Sequence, residues 1–230
     1  MASDHHNHGS KSRVSFAEQA YIELKQQILG NRLPAGTQFL EQEIAERLNM
    51  SRTPTREAMI RLANEGLVEV RPRHGMRVLP ISPQDMSEIY QIITALESAA
   101  AGLVAGLGLD REGVRSLIEA VDKMDVALQA DDLDAWAAAD HQFHSHLVRL
   151  TGNQRLISLI ETYNDQGHRV RMTTLHMRPK PEKSNEDHRA VLDAILANDP
   201  DTAREVHRRH RETAGKVLID LLHEHHLTHM

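Results

Sequence analysis

A chain of 230 residues, 40% hydrophobic and 26% charged, is long enough for one or two domains with a buried core; twelve Gly and eight Pro without a strict repeat exclude collagen-like and low-complexity classes. No apolar run approaches the ~20 residues that cross a bilayer, and Met1 to Ser10 carries His5, His6 and His8 but no apolar segment, so a soluble chain with neither membrane span nor secretory signal is expected. The formal charge of −6 is uneven: residues 1–80 hold 11 basic and 9 acidic side chains, residues 81–230 hold 16 and 24, which points to two modules of opposite sign.

Residues 1–14 read as a polar, flexible leader, and the His-rich ends (His223, His225, His226 and His229 at the other) are given no role. A first helix opens at Ser15, with Glu18 three residues on, and stops near Gly30. A second runs from about Leu40 to Leu48 and ends at Asn49. Thr53 then caps a third, with Pro54 in its first position, reaching Glu65 and stopping at Gly66. Two helices this closely joined form a helix-turn-helix. The alternating Leu67–Arg71, the turn Pro72-Arg73-His74-Gly75 and the returning Met76–Leu79 add a hairpin, which completes a winged helix over residues 15–80.

From residue 81 to 225 the periodicity is helical throughout. Ser82 and Asp85 cap a helix with apolar positions Met86, Ile89, Ile93, Leu96, Ala100 and Leu103; a second carries Val114, Leu117, Ile118, Val121, Met124 and Leu128. Further helices run from Asp132 to Leu150, from Asn153 to about Leu175, from a cap at Ser184 and Asp187 to Asn198, and from Asp199-Pro200 to Leu222. Six or seven such helices with short connections pack as an antiparallel all-α bundle, so the chain as a whole is mainly α.

Two groups of residues carry chemistry. The first is Ser51-Arg52-Thr53-Pro54-Thr55-Arg56, at the mouth of the third helix, where unpaired N–H groups already favour phosphate. Within 47–77, seven Arg face three Glu, a local excess of +4 that the whole-chain charge hides. Arg52, Thr53, Thr55 and Arg56, with Arg73, His74 and Gly75 at the wing, are the candidate DNA contacts, because a docked winged helix needs donors and cations at those places.

The second group lies on apolar stripes. Leu133, Trp136, Asp140, Phe143, His144 and Leu147 follow steps of three and four, so Asp140 and His144 fall inside the buried face, about 6 Å apart along the axis. His188 precedes Val191, Leu192 and Ile195, and His210 falls in the series Val206, His210, Ala214, Val217, Leu221. A buried carboxylate and three imidazoles must be paired or bind a metal. The chain contains no Cys, which excludes disulfides and thiolate zinc sites and suits a cytoplasmic protein; one Asp and three His suit Zn²⁺, Ni²⁺ or another first-row divalent ion with a position open for a ligand oxygen. His141, His146, His168, His176 and His207 are assigned to the surface or to supporting positions.

Residues 20–79, with Leu33-Pro34-Ala35-Gly36, the SRTPTREA string from Ser51 to Ala58, and Glu65-Gly66-Leu67-Val68, resemble the GntR family of bacterial transcription regulators. Residues 84–222, with Leu96-Glu97, Asp140-x-x-Phe143-His144, Thr151-Gly152-Asn153, Asp187-His188 and Ala203 before His210, resemble the FCD ligand-binding domain of that family's FadR-type branch. The resemblance implies that Arg52 and Arg56 are principal DNA contacts and that Asp140, His144, His188 and His210 are a metal site. It also implies a homodimer on two-fold symmetric operator DNA, answering to a small effector, an organic acid whose carboxylate completes the metal's coordination. Two departures stand out: Gln42 replaces an Arg that some relatives carry early in the second helix, and Ile93 replaces an Arg that many carry before the Leu-Glu pair. Arg169 or Arg171 would then hold the effector, or the ligand differs. The alternatives are a regulator for which the metal itself is the signal and a metallo-hydrolase; against the latter, no Glu is placed as an obvious general base, and no catalytic residues are assigned.

Overall fold

The computed structural model describes residues 14–227; the leader, with His5, His6 and His8, and the terminal His229 lie outside the described residues. The polypeptide divides after Leu79 into two compact units.

The first unit contains α1 (Phe16–Leu29), β1 (Gln38–Phe39), α2 (Glu41–Leu48), α3 (Arg52–Asn64), β2 (Val68–Arg71) and β3 (Gly75–Val78). Ser15 Oγ accepts the Glu18 N–H at 3.1 Å and so caps α1. Asn49 ends α2 in the left-handed region at φ 50°. Helix α3 starts two residues earlier than the sequence suggested: Ser51, not Thr53, is the N-cap, so Arg52 occupies the first helical position and Pro54 the third, where the missing N–H still costs nothing. The wing pairs antiparallel, with Val70 opposite Met76 and Val68 opposite Val78. The short β1, which the sequence reading lacked, adds to the other side of β3 and gives the order β1-β3-β2. Leu24 and Ile28 of α1, Met59 and Leu62 of α3, and Met76 and Val78 of β3 form the core, each essentially inaccessible.

The second unit contains six α-helices among its described residues: α4 (Pro83–Ala105), α5 (Arg115–Gln129), α6 (Leu133–Leu150), α7 (Gln154–Thr173), α8 (Glu182–Leu196) and α9 (Pro200–Glu224), with a single 3₁₀ turn at Leu175–Met177. Ser82 and Asp85 form the expected reciprocal cap of α4, and Asp199 caps α9. Helix α8 starts earlier than expected, after Pro181, so Ser184 and Asp187 lie inside it.

The long helices α4 and α9 are the spine, each about 35 Å long at 1.5 Å per residue. They approach closely at Gly215, where a Cβ would lie 2.8 Å from the Tyr90 ring. The inward stripe of α4 differs from the one read in the sequence. Leu103 is 53% exposed, whereas Glu97 is fully buried in line with Ile93, Ala101 and Val104. Apolar character alone had selected Leu103; the true stripe admits a carboxylate because α6 and α9 bring it partners.

Candidate functional sites

In the first unit, helix α3 buries Ala58, Met59 and Leu62 and leaves Arg52, Thr53 and Arg56 exposed on the opposite face. Arg52 and Arg56 are one turn apart, so their guanidinium groups rise from one side of the helix N-terminus. Arg52 Nε donates to Glu41 Oε1 at 2.9 Å, an exposed contact that a phosphate could replace at little cost. Thr55, expected among the DNA contacts, is corrected: it is fully buried, and its hydroxyl donates to the Ser51 carbonyl at 3.0 Å, so it braces the helix start instead. At the wing, Arg73 adopts a left-handed conformation at φ 65° and is exposed, as is His74. Gly75 has φ 76°, and a Cβ there would fall 2.1 Å from the Phe39 carbonyl oxygen. The glycine is therefore required by the packing of β1 on the wing. Other arginines of the basic stretch are tied down: Arg61 donates to Glu18 at 2.6 Å and stacks on Tyr21, and Arg71 pairs with Glu69.

In the second unit Asp140 and His144 from α6, His188 from α8 and His210 from α9 bring one donor atom each within 4.8 Å of one another. All four residues selected by the stripes are thus brought together. His144 Nε2 lies 3.1 Å from His188 Nε2 and 3.6 Å from Asp140 Oδ1, and His188 Nε2 lies 3.4 Å from Asp140 Oδ1. Ligand atoms around a tetrahedral ion with bonds of 2.0–2.1 Å are separated by about 3.3 Å, a spacing that Asp140, His144 and His188 already match, with the His210 donor within 4.8 Å of them. Such an ion, when bound, would supply an electrophilic position for a ligand oxygen.

Four residues absent from the sequence-based site surround it. Glu97 is fully buried and accepts from Arg211 through both Nε and Nη2, each at 2.6 Å. Its Oε2 also lies 3.1 Å from His144 Nδ1, which donates to it and leaves Nε2 turned toward Asp140 and His188. His207, assigned earlier to the surface or to a supporting position, has no solvent exposure and sits 3.3 Å from His144 Nδ1. Glu97, His144 and His207 form a second group of metal-competent atoms, but the Arg211 cation already occupies the Glu97 carboxylate. On the other flank, His210 Nδ1 faces Asp187 Oδ2 at 3.7 Å.

Burial disfavours charge on Glu97 and Asp140, yet Arg211 and His144 beside Glu97, and His144 and His188 beside Asp140, hold both carboxyls well below their ordinary range. For His144, burial and Arg211 are outweighed by Glu97 and Asp140, which raise its pKa. Burial pushes His188, His207 and His210 down, so these rings are neutral near pH 7 and offer lone pairs without first losing a proton.

Beside the four donors lies a cavity of about 90 Å³, lined among others by Tyr90, Asp140, His144, Arg171, Arg178 and Arg211. Arg171 therefore faces the site, while Arg169, the other effector candidate, is buried in α7 and does not line this cavity.

A basic winged helix followed by a helical domain with an interior polar site is the architecture of a DNA-binding transcription regulator. Matches to family models bear this out: residues 16–78 match the bacterial regulatory proteins of the gntR family, and residues 88–213 match the FCD domain. The chain belongs to the GntR family of transcription regulators, in its FCD-containing branch, and is a regulator, not an enzyme. It is 34% identical over 203 residues to a probable D-xylose utilization operon transcriptional repressor of Paenarthrobacter nicotinovorans, covering 86% of this chain and 87% of the relative. It is 44% identical over 141 residues to an HTH-type regulator in the TAR-I ttuE-ttuC' intergenic region of Agrobacterium vitis, covering 60% of this chain and 82% of that one. Among solved structures, Escherichia coli McbR/YncC shares the fold with a TM-score of 0.75 and 23% identity, covering 91% of this chain and 99% of that one. The metallo-hydrolase alternative is set aside by these relatives, which are named as regulators.

Proposed function

We propose that this regulator binds two-fold symmetric operator DNA as a cytoplasmic homodimer, and that a small carboxylate held at a divalent metal in the helical domain changes its operator affinity. Arg52, Thr53 and Arg56 would meet the major groove, with Arg73, His74 and Gly75 at the wing. Asp140, His144, His188 and His210 would hold the ion, with Zn²⁺ or Ni²⁺ the best-suited occupants.

The observation that carries the reading is the meeting of one carboxylate and three imidazoles from three helices within 4.8 Å, beside a cavity lined by arginines. The chain's own residues prepare that site. Glu97 fixes the His144 ring with Nε2 inward, and Arg211 keeps Glu97 ionised. Glu97 and Asp140 raise the His144 pKa, so a metal competes with a proton for this ring. An effector can shift operator affinity only as far as it binds the DNA-competent and DNA-incompetent forms unequally.

The test is operator binding by zinc-loaded and chelated protein, on a two-fold DNA site recovered by in vitro selection, with and without a panel of short carboxylates. The reading requires a response to carboxylate at saturating zinc that is absent after chelation. A response to chelator alone, with no carboxylate effect, would make the metal the signal.

A further inference from the structure

The three imidazoles of the metal-competent group are not held alike. His144 has Glu97 behind its Nδ1, and His210 Nδ1 faces Asp187. His188 is as deeply buried, yet its Nδ1 has no hydrogen-bond partner. A metal-binding imidazole is ordinarily aimed by a partner on its second nitrogen, so this ring is aimed by something else. It packs against the Phe143 ring at 4.5 Å between centroids, a contact that fixes no hydrogen-bonding direction. Where His188 points therefore depends on where α8 itself is placed.

One polar chain across three helices sets that placement. Trp136 on α6 lies one turn before Asp140, and its indole Nε1 donates to Asn185 Oδ1 on α8 at 2.7 Å. Asn185, three residues before His188, donates from Nδ2 to Asp125 Oδ1 on α5, also at 2.7 Å. The other carboxylate oxygen of Asp125 pairs with Arg189, the residue that follows His188. One carboxylate thus grips α8 on both sides of His188, within little more than a turn. Trp136 and Asn185 are both buried, so water does not compete for the bond between them. The chemistry of the chain singles out an amide at its centre. An indole only donates, and a carboxylate facing an arginine only accepts, so the side chain between them must do both at once. A leucine there would strand the Trp136 N–H in the interior, and an aspartate would set two carboxylates against each other. Asn185 is not one of the four donors, nor does it line the cavity beside them.

We infer that Asn185 is the positioning residue for His188: its bridge from Trp136 to Asp125 sets the register of α8 against α6, so that His188 Nε2 meets Asp140 and His144. This inference rests on the metal-centred reading above and adds to it a residue that touches no ion, yet decides whether all four donors close on one.

The test is zinc affinity, by competition with a chromogenic chelator, of full-length wild type, Asn185→Leu, His188→Ala and the double variant. Asn185→Leu is expected to weaken zinc binding about 10- to 100-fold, the range for residues that orient a metal ligand. In the His188→Ala background the same substitution should change affinity by less than about twofold, because the ring it aims is gone. Cobalt-loaded Asn185→Leu should lose the intense visible absorption of a tetrahedral site, which a destabilised protein with its donors still in place would keep. Unchanged zinc affinity or an unchanged cobalt spectrum in folded Asn185→Leu overturns the inference, as does the full loss recurring in the His188→Ala background. Circular dichroism reports folding. If Asn185→Leu does not fold, Arg189→Gln at the half-exposed end of the chain carries the test. A loss of about 2- to 5-fold is then expected, and no loss overturns the inference. Wild-type protein that takes up no zinc overturns the metal-centred reading together with this one.

Discussion

Glu97→Gln tests the layer behind the candidate metal site while leaving its volume almost unchanged. The wild-type carboxylate has no solvent exposure, accepts two 2.6 Å contacts from Arg211 and one of 3.1 Å from His144. An amide can still accept one hydrogen bond, but it leaves the Arg211 charge, itself 5% exposed, without a counterion. Breaking a buried pair from one side costs about 3–5 kcal/mol, a large part of the ~5–15 kcal/mol that holds a domain together. The readout is built in: Trp136, the chain's only tryptophan, is buried in the same unit and donates to Asn185 at 2.7 Å, so its fluorescence in urea follows the helical unit. At about 2–4 °C per kcal/mol for a unit of this size, the melting temperature should drop by about 6–20 °C. Glu97→Met combined with Arg211→Met should cost less than Glu97→Gln alone, because no unpaired charge remains. A loss below about 1 kcal/mol for Glu97→Gln would refute the view that this pair is a desolvated, mutually dependent unit.

Arg52→Ala or Arg56→Ala should weaken operator binding by about 1–3 kcal/mol in a gel-shift titration while Trp136 fluorescence stays native; unchanged affinity would remove them from the interface. Gly75→Ala should disrupt the wing through the Phe39 carbonyl, seen as lost DNA binding and a less stable first unit. The histidines set a pH dependence with a definite sign. His188, His207 and His210 are depressed on folding, so the unfolded chain binds more protons below about pH 6.5 and the apo helical unit should lose stability as pH falls through that value. His144, raised on folding, opposes this: its contribution is present below about 6.5 and fades as pH rises through its folded pKa. With His141 and His168 depressed as well, five lowered rings against one raised ring predict a net fall on the acid side in urea titrations; a helical unit more stable at pH 5 than at pH 7 would contradict the assignment. Metal should be released over the same acid range, read by elemental analysis.

Much of this was legible in the sequence because each stripe is built from a long, strongly periodic helix. Asp140 and His144 on α6, His188 on α8 and His210 on α9 all lie where the 3.6-residue period put them. The basic helix start was legible too, but Thr55 was not separable from its neighbours: a threonine at that spacing suits a groove or a bracing contact, and only the packing of α3 decides. Glu97 and His207 were missed for one reason. Both are polar residues on inward faces whose partners, Arg211 and His144, come from other helices, so an apolar-stripe reading passes over them in favour of exposed Leu103. The strand β1 was missed because two residues carry no periodicity; it is defined by pairing with β3 alone.

The most direct test of the central claim is anomalous scattering at the zinc edge from crystals of the zinc-loaded protein. The account predicts one strong peak about 2.0–2.2 Å from Asp140, His144, His188 and His210. A peak between Glu97 and His207 instead, or none in the helical unit, would contradict it.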